Sequence, residues 1–178
     1  KAEYCIKIQY FIMSYAELHC LSNYSFLRGA SHPSELVEQA AHLGYSALAM
    51  TDECSLAGVV KAHVVAKELD FKLIIGSEFN VSEGLKLVAI APSRAAYGEL
   101  SNLISRSRRR SEKGQYLTHL RDIYFHLKRC FIIWLPTHID EEKHHADILS
   151  RRFADRFWIG VTQLLHHDDT ARLAELQQ

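Results

Sequence analysis

The sequence predicts an α/β fold built on a largely parallel sheet. Short apolar runs alternate with amphipathic stretches from residue 15 onward, as expected for strands joined by crossover helices. Turn-forming residues such as Gly44 and Gly84 separate these runs. With 178 residues, 48% of them hydrophobic, the chain is long enough for one sizeable core.

Six apolar runs are the predicted strands. They are residues 15–19, 46–51, 71–81, 85–91, 130–136 and 156–161. The third run, "FKLIIGSEFNV", turns at Glu83 and Gly84 into the fourth, "LKLVAIA". The last two runs, "CFIIWLP" and "RFWIGV", are separated by a helical stretch.

The predicted helices begin at capping residues. Ser31 is expected to cap the first, which carries Pro33 in its first turn and ends at Gly44. Its expected buried stripe is Leu36, Val37, Ala40 and Leu43. Ser55 is expected to cap the second helix, and Ser93 stands at the start of the third. Further helices are predicted over residues 141–153 and 169–178.

Composition excludes several classes of protein. Lys+Arg and Asp+Glu number 21 each, so no overall charge points to nucleic acid or to an acidic substrate. No apolar run approaches the ~20 residues of a membrane helix, and we expect no membrane partner. The four cysteines are scattered without a CxxC pair, which indicates reduced thiols and a cytoplasmic protein. They are Cys5, Cys20, Cys54 and Cys130.

The domain is expected to begin after the first residues of the chain and to lack its last strands. The first residue is Lys1, and residues 1–12 are interpreted as an extension or an artefact of the start site. The domain is then expected to span residues 13–178. No strand follows the last predicted helix, so the domain is expected to be incomplete, because a β/α barrel must close its sheet.

Charged residues gather at the carboxyl ends of the first three predicted strands. His19 follows the first strand, Asp52 and Glu53 follow the second, and Glu78 belongs to the third. Parallel α/β folds place their functional sites at this edge of the sheet. By spacing alone, His, Asp and Glu at one mouth are compatible with a metal site. The alternative is that polar residues stand at strand ends because the chain meets water there.

Five stretches of the chain resemble a known family. "LHCLSNYSFLRGA", "MTDECSLAGVVKAH", "GSEFNV", "KLVAIAPS" and "LISRSRRRSEKGQY" follow in the order and spacing of the polymerase and histidinol phosphatase (PHP) domain. That domain opens the bacterial C-family DNA polymerases, and these stretches are most similar to the error-prone branch. The resemblance implies a distorted (β/α)7 PHP-type barrel, truncated at its C-terminus in this chain.

The resemblance also implies that most metal ligands have been lost. Metal-binding members carry motifs of the form HxHS…LDG, TDHG and GxE, followed by a histidine that opens the next strand. His19, Asp52 and Glu78 match ligand positions. At the remaining ligand positions stand Leu21, Arg28, Glu53 and Lys86. Leucine offers no lone pair, and arginine and lysine bring positive charge to where a cation would sit.

These substitutions lead to a hypothesis about the mouth of the barrel. We expect no metal in this chain, and we expect Arg28 and Lys86 to neutralise the carboxylates of Asp52, Glu53 and Glu78 in its place. No catalytic or cofactor-binding residue is assigned. A second candidate region is the basic run "RSRRR", which could contact nucleic acid or could be a solvated helix end. Its arginines are Arg106, Arg108, Arg109 and Arg110.

The resemblance implies the function as well. The chain is expected to be the PHP domain fragment of an error-prone DNA-directed DNA polymerase that acts in repair or translesion synthesis. The Mg²⁺ of nucleotidyl transfer would be held by carboxylates outside this chain. Expected partners are the remaining polymerase domains, DNA through the full-length protein, and accessory proteins of damage tolerance. The alternative is a stand-alone PHP-type phosphoesterase or 3′–5′ exonuclease with a reduced metal set.

Overall fold

The computed structural model of the chain describes residues 15–161 together with residues 169, 173 and 174. The strands are β1 (Ala16–Cys20), β2 (Ala47–Met50), β3 (Leu73–Asn80), β4 (Lys86–Ile90), β5 (Phe131–Trp134) and β6 (Phe157–Ile159). The helices are α1 (Pro33–His42), α2 (Val59–Glu68), α3 (Arg94–Arg109), α4 (Leu120–His126) and α5 (Ile139–Phe153). A short 3₁₀ turn, Ala154–Arg156, leads into β6.

The strands form one six-stranded sheet in the order β1-β2-β3-β4-β5-β6. β1, β2 and β3 are parallel, β4 is antiparallel to both of its neighbours, and β5 and β6 are again parallel. β3 and β4 form the predicted hairpin, in which the N–H of Val81 donates to the carbonyl of Leu85 at 2.8 Å. Gly84 adopts a φ of 95° in this turn. All six predicted strands are therefore confirmed.

The helices cover the outer face of the sheet in two groups. α1 and α2 pack on β1, β2 and β3 through a cluster that includes Val37, Met50 and Ala62. α3, α4 and α5 pack on β3, β4 and β5 through a larger cluster that includes Phe79 and Phe153. The main core therefore lies between the sheet and the later helices.

The inner face of the sheet is curled and apolar. Ala49, Val88 and Ile90 are buried on this face. Residues of β1 and β6 line the two sides of one cavity of about 1160 Å³, so the sheet bends into a half-barrel that is open between its edge strands. Among the described helices, none is long and apolar enough to cross a membrane.

Several local predictions are wrong. α1 begins after His32 and not after Ser31, and the N–H of His32 donates to Glu35 at 2.7 Å. α2 begins after Gly58, because the hydroxyl of Ser55 is used in a turn and accepts from the N–H of Ala57. Leu43 is 56% exposed, since it follows the last turn of α1 and has left the buried stripe.

One helix was not predicted, and two predictions concern residues that the structure does not describe. The sequence interpretation assigned no element to α4, a helix of seven residues that is too short for a clear apolar period. The proposed extension, residues 1–12, and most of the predicted helix at 169–178 lie outside the described residues.

The start of α5 depends on a buried carboxylate. Glu142 is 3% exposed and accepts hydrogen bonds from the indole N–H of Trp134 at 2.6 Å and from the N–H of His138 at 2.6 Å. Thr137 adds donors from its N–H and its hydroxyl. Burial alone would raise the pKa of Glu142, but these four donors lower it. Glu142 thus ties the end of β5 to α5.

We predict that Glu142→Ala destabilises the domain by about 3 kcal/mol, because it leaves several buried donors without an acceptor. Urea unfolding followed by circular dichroism measures this change. Glu141→Ala is the matched control, since Glu141 is exposed in the same helical turn. Equal stability of the two variants would contradict the anchoring role of Glu142.

Candidate functional site

The candidate site lies at the carboxyl ends of β1, β2 and β3. His19 is near the end of β1, Glu53 lies just beyond β2, and Glu78 is in β3. An isolated parallel bridge pairs Glu53 with Glu78. The three side chains therefore reach one mouth, as the order of strand ends predicts.

Glu78 is the centre of the site and is fully buried. Its Oε2 lies 2.6 Å from Nε2 of His19. Both terminal nitrogens of the Arg28 guanidinium donate to the same carboxylate, with Nη2 3.1 Å from Oε2. Burial would raise the pKa of Glu78, but the hydrogen bonds from His19 and Arg28 outweigh it and hold the pKa at about 2. Glu78 is therefore a paired carboxylate at neutral pH.

Glu53 extends this ion pair towards the protein surface. Its Oε2 accepts from Nη1 of Arg28 at 2.7 Å. Its Oε1 accepts from the amide of Asn80 at 2.6 Å and from the hydroxyl of Tyr116 at 2.7 Å. Burial opposes ionisation, but Arg28, Tyr116 and Asn80 together lower the pKa of Glu53. Sequence reasoning missed Asn80 and Tyr116, because neither stands at a family ligand position.

Asp52 is turned away from this ion pair. Its carboxylate is 1% exposed and accepts from the N–H and hydroxyl of Ser22 and from the hydroxyl of Ser25, each at 2.7 Å. The loop between β1 and α1 is thereby fastened to the end of β2. Gly29 closes the same loop, since a Cβ there would lie 2.1 Å from the carbonyl oxygen of Ser22. The structure thus separates Asp52 from the carboxylates with which the hypothesis grouped it.

The two cations of the hypothesis have different surroundings. Arg28 forms ion pairs with Glu53 and Glu78. Lys86 pairs with Asn80 across the β3–β4 ladder and so lies on the same face as Glu78. Within residues 15–161, however, its ammonium group forms no ion pair. Charge compensation at the mouth is therefore carried by Arg28.

The donor set does not match a metal centre. Over the part of the chain that the structure describes, no three His, Cys, Asp or Glu side chains converge as ligands. Leu21, which the resemblance aligns with a ligand, has no donor atom. The guanidinium of Arg28 already contacts the two carboxylates at the mouth, and the residues present do not fit a divalent cation there.

The three described cysteines are free thiols. Burial raises the pKa of Cys20 to about 11 and the pKa values of Cys54 and Cys130 to about 12. Thiols with such pKa values are protonated near neutral pH and are poor nucleophiles. They act as small apolar side chains.

The basic run at the end of α3 divides into two arginines that bind neighbouring segments and two that do not. Arg108 donates to the carbonyl oxygens of Cys54 and Glu53, each at 3.2 Å, and lies over the ring of Tyr116. Arg110 forms an ion pair with Asp122. These two arginines join α3 to neighbouring segments.

The other two arginines are exposed, as Arg110 is, but they form no ion pair among the described residues. Arg106 is exposed and donates to Asn102 at 2.8 Å. Arg109 is exposed, and its side chain has no hydrogen-bonding partner among the described residues. Together with Asn102 and Arg110 they line a notch of about 340 Å³. Arg106 and Arg109 are therefore less engaged by the rest of the domain than Arg108 is.

We predict that Arg28→Met destabilises the domain by about 3 kcal/mol, because it leaves the buried carboxylate of Glu78 without its main partner. Arg28→Met/Glu78→Met should recover much of this loss, since both charges are then removed. Urea unfolding near neutral pH measures both variants. Arg121→Met is the control, because Arg121 is exposed and forms no ion pair among the described residues.

The same variant has an expected dependence on pH. The pKa of Glu78 falls from an ordinary value of 4.5 to about 2 on folding, so its stabilisation is complete above pH 4.5 and is lost as the pH falls from 4.5 towards 2. The stability difference between wild type and Arg28→Met should therefore narrow in this window. A difference that stays constant down to pH 2 would argue against the ion pair as its cause.

We predict that Arg108→Gln destabilises the domain by about 1 to 2 kcal/mol, since it removes two hydrogen bonds and a contact with Tyr116. Arg109→Gln is the matched control and should change stability by less than about 0.5 kcal/mol. Urea unfolding measures both. Unchanged stability of Arg108→Gln together with a loss of DNA binding would show that Arg108 contacts DNA and does not stabilise the folded domain.

Solved structures share this architecture. A protein of Bifidobacterium adolescentis described as a metal-dependent phosphoesterase superposes with a TM-score of 0.64 at 15% identity, covering 92% of this chain and 83% of that one. An amidohydrolase of Chromobacterium violaceum gives a TM-score of 0.62 at 17% identity, covering 91% and 82%. At these identities the likeness concerns the fold alone, and it agrees with the predicted barrel-type α/β architecture.

Curated relatives are far more similar in sequence. The error-prone DNA polymerase of Teredinibacter turnerae is 56% identical over 149 residues, which are 84% of this chain and 14% of that protein. The error-prone DNA polymerase of Saccharophagus degradans is 55% identical over 157 residues, or 86% and 15%. That of Methylococcus capsulatus is 54% identical over 164 residues, or 92% and 16%. The chain thus spans about one seventh of the length of these relatives.

A family model agrees with the fold and with the relatives. It is described as the PHP domain, and it matches residues 17–155, which include β1 without its first residue, the strands β2 to β5 and the whole mouth. The match covers well over half of the chain. The chain belongs to the PHP domain family.

Proposed function

We propose that the chain is the PHP domain of an error-prone DNA-directed DNA polymerase. The observation that carries the proposal is the 54–56% identity with three error-prone DNA polymerases over 84–92% of the chain. The PHP-like phosphoesterase fold is compatible with this assignment, because it is the fold expected of that domain.

The activity of the whole protein follows from the same proposal. A polymerase-length chain would extend a primer by nucleotidyl transfer, with Mg²⁺ held by carboxylates outside the 178 residues. It would contact DNA through its other domains, act in repair or damage-tolerance synthesis in the cytoplasm, and meet accessory proteins there. The free thiols among the described residues support a reducing compartment.

For the PHP domain itself we propose a structural role without metal chemistry. The support is the guanidinium of Arg28, which lies against Glu53 and Glu78 where a catalytic cation would have to bind. The carboxylate of Asp52 accepts hydrogen bonds from Ser22 and Ser25 and so holds the loop between β1 and α1. The mouth is thereby occupied by an internal ion pair, and the domain serves as a rigid body on which other polymerase domains pack.

The alternative is a PHP-type phosphoesterase or 3′–5′ exonuclease that uses fewer metals. His19 and Glu78 favour it, because Nε2 of His19 lies 2.6 Å from Oε2 of Glu78 at the site that the family is expected to use. Leu21 and Arg28 oppose it, because one lacks a donor and the other is a cation. The two proposals differ in one measurable property, the binding of a divalent metal.

We predict that the chain binds neither Mn²⁺ nor Zn²⁺ stoichiometrically and does not degrade single-stranded DNA. Isothermal titration calorimetry and a nuclease assay with each metal test this. Arg28→Asp is the informative variant, since it removes the cation and adds a carboxylate beside His19 and Glu78, and it should raise the affinity for Mn²⁺. Stoichiometric metal binding by the wild type, with nuclease activity abolished by Glu78→Gln, would instead establish the phosphoesterase.

The polymerase assignment needs its own experiment. The protein at its native length should extend a primed DNA template in the presence of Mg²⁺, whereas the 178-residue chain should not. Variants at Glu78 would leave the chemistry of extension intact and lower the amount of folded protein. Absence of primer extension by the native-length protein would overturn the assignment.

A further inference from the structure

The tip of the loop between β1 and α1 displays two large apolar side chains. Phe26 is 84% exposed and Leu27 is 89% exposed, and they are adjacent in sequence. Single exposed apolar residues are common on protein surfaces and need no explanation. A neighbouring pair with almost no protein contact is unusual and marks a candidate for an interaction surface.

This loop tip is held in one conformation by hydrogen bonds. The N–H groups of Arg28 and Gly29 both donate to the carbonyl of Ser25 at 3.0 Å, and the N–H of Ser25 donates to the carbonyl of Ser22 at 2.9 Å. The hydroxyl of Ser25 is fixed by Asp52. Leu27 is held at a φ of 61°, a left-handed conformation that is unfavourable for leucine. The chain therefore maintains a strained backbone that points apolar groups away from its own core.

Neighbouring residues extend the apolar area. Tyr24 is 38% exposed, and its ring lies against the start of α2, where a Cβ on Gly58 would be 3.2 Å away. Nζ of Lys61 lies 5.7 Å from the centre of that ring. On the same helix, Val60 and Val64 are 69% and 51% exposed. We call Tyr24, Phe26 and Leu27 the loop-tip surface.

We propose that the loop-tip surface docks against another part of a polymerase-length chain, into an apolar pocket with a carboxylate in reach of Lys61. This inference rests on the proposed function. Its first support is length, because the relatives are about seven times longer than the stretch they share with this chain. Its second support is preorganisation, since rigid aromatic and aliphatic anchors lose little entropy on binding.

Electrostatics favours a protein partner over nucleic acid at this surface. Phe26 and Tyr24 could stack on bases, but such sites also need free cations along the phosphate backbone. Arg28 is already paired with Glu53 and Glu78, which leaves Lys61 as the cation beside Tyr24.

Hydroxyl-radical footprinting of the native-length protein and of the 178-residue chain tests the proposal. Oxidation of Phe26 and Leu27 should be at least about fivefold slower in the native-length protein, as expected when exposed side chains become buried in an interface. Equal oxidation rates in the two proteins would overturn the inference. Protection that develops only when single-stranded DNA is added would overturn it in favour of nucleic acid.

A pair of variants adds a readout that does not depend on footprinting. Phe26→Ser/Leu27→Asn should not lower the urea midpoint of the 178-residue chain, since both side chains are exposed there and asparagine tolerates the positive φ at position 27. In the native-length protein it should speed proteolytic separation of the domain severalfold. Leu43→Asn is the matched control, because Leu43 is an exposed leucine beyond the other end of α1. Equal cleavage of the two variants would contradict the proposal.

Failure of this inference can be told from failure of the proposed function. If the native-length protein extends primers but oxidises Phe26 and Leu27 as fast as the short chain does, the polymerase assignment stands and the docking surface is wrong. If the native-length protein does not extend primers, the assignment itself fails, and the docking proposal fails with it.

Discussion

The burial of one carboxylate constrains the whole mouth of this half-barrel. Glu78 is in a central strand with no exposure, and an isolated charge in that position would be strongly unfavourable. Arg28 reaches it from the loop after β1, and His19 reaches it from β1 itself. The pairing of Glu78 therefore depends on the loop that carries Arg28, which Asp52 holds in place through Ser22 and Ser25.

The two acids at neighbouring positions, Asp52 and Glu53, serve different segments. Asp52 faces Ser22 and Ser25 and holds the early part of the loop, while Glu53 faces Arg28, Asn80 and Tyr116. A variant at Asp52 would consequently disturb the loop that delivers Arg28. For this reason metal binding is better tested at Arg28 and Glu78 than at Asp52, where a lost signal could reflect a displaced loop.

The strands and the residues at the mouth could be predicted from the sequence, but their contacts could not. Apolar runs and strand order place His19, Glu53 and Glu78 together, because parallel strands end at one edge of the sheet. The role of Tyr116 could not be foreseen, since it comes from a loop 63 residues away from Glu53 along the chain. The caps of α1 and α2 were mispredicted, because several polar residues near each helix start could have served and tertiary contacts selected among them.

The basic run shows how tertiary structure changes the meaning of a sequence pattern. Five consecutive residues, "RSRRR", resemble a phosphate-binding segment, yet the side chain of Arg108 turns back to the carbonyls that follow β2 and to the ring of Tyr116. Tyr116 in turn donates to Glu53, which accepts from Arg28. The end of α3 is thus linked to Glu78 through a continuous series of charged and aromatic contacts. Such a series aligns the mouth, but buried ion pairs roughly balance their desolvation cost. Its contribution is therefore a defined geometry at the mouth, and extra stability need not accompany it.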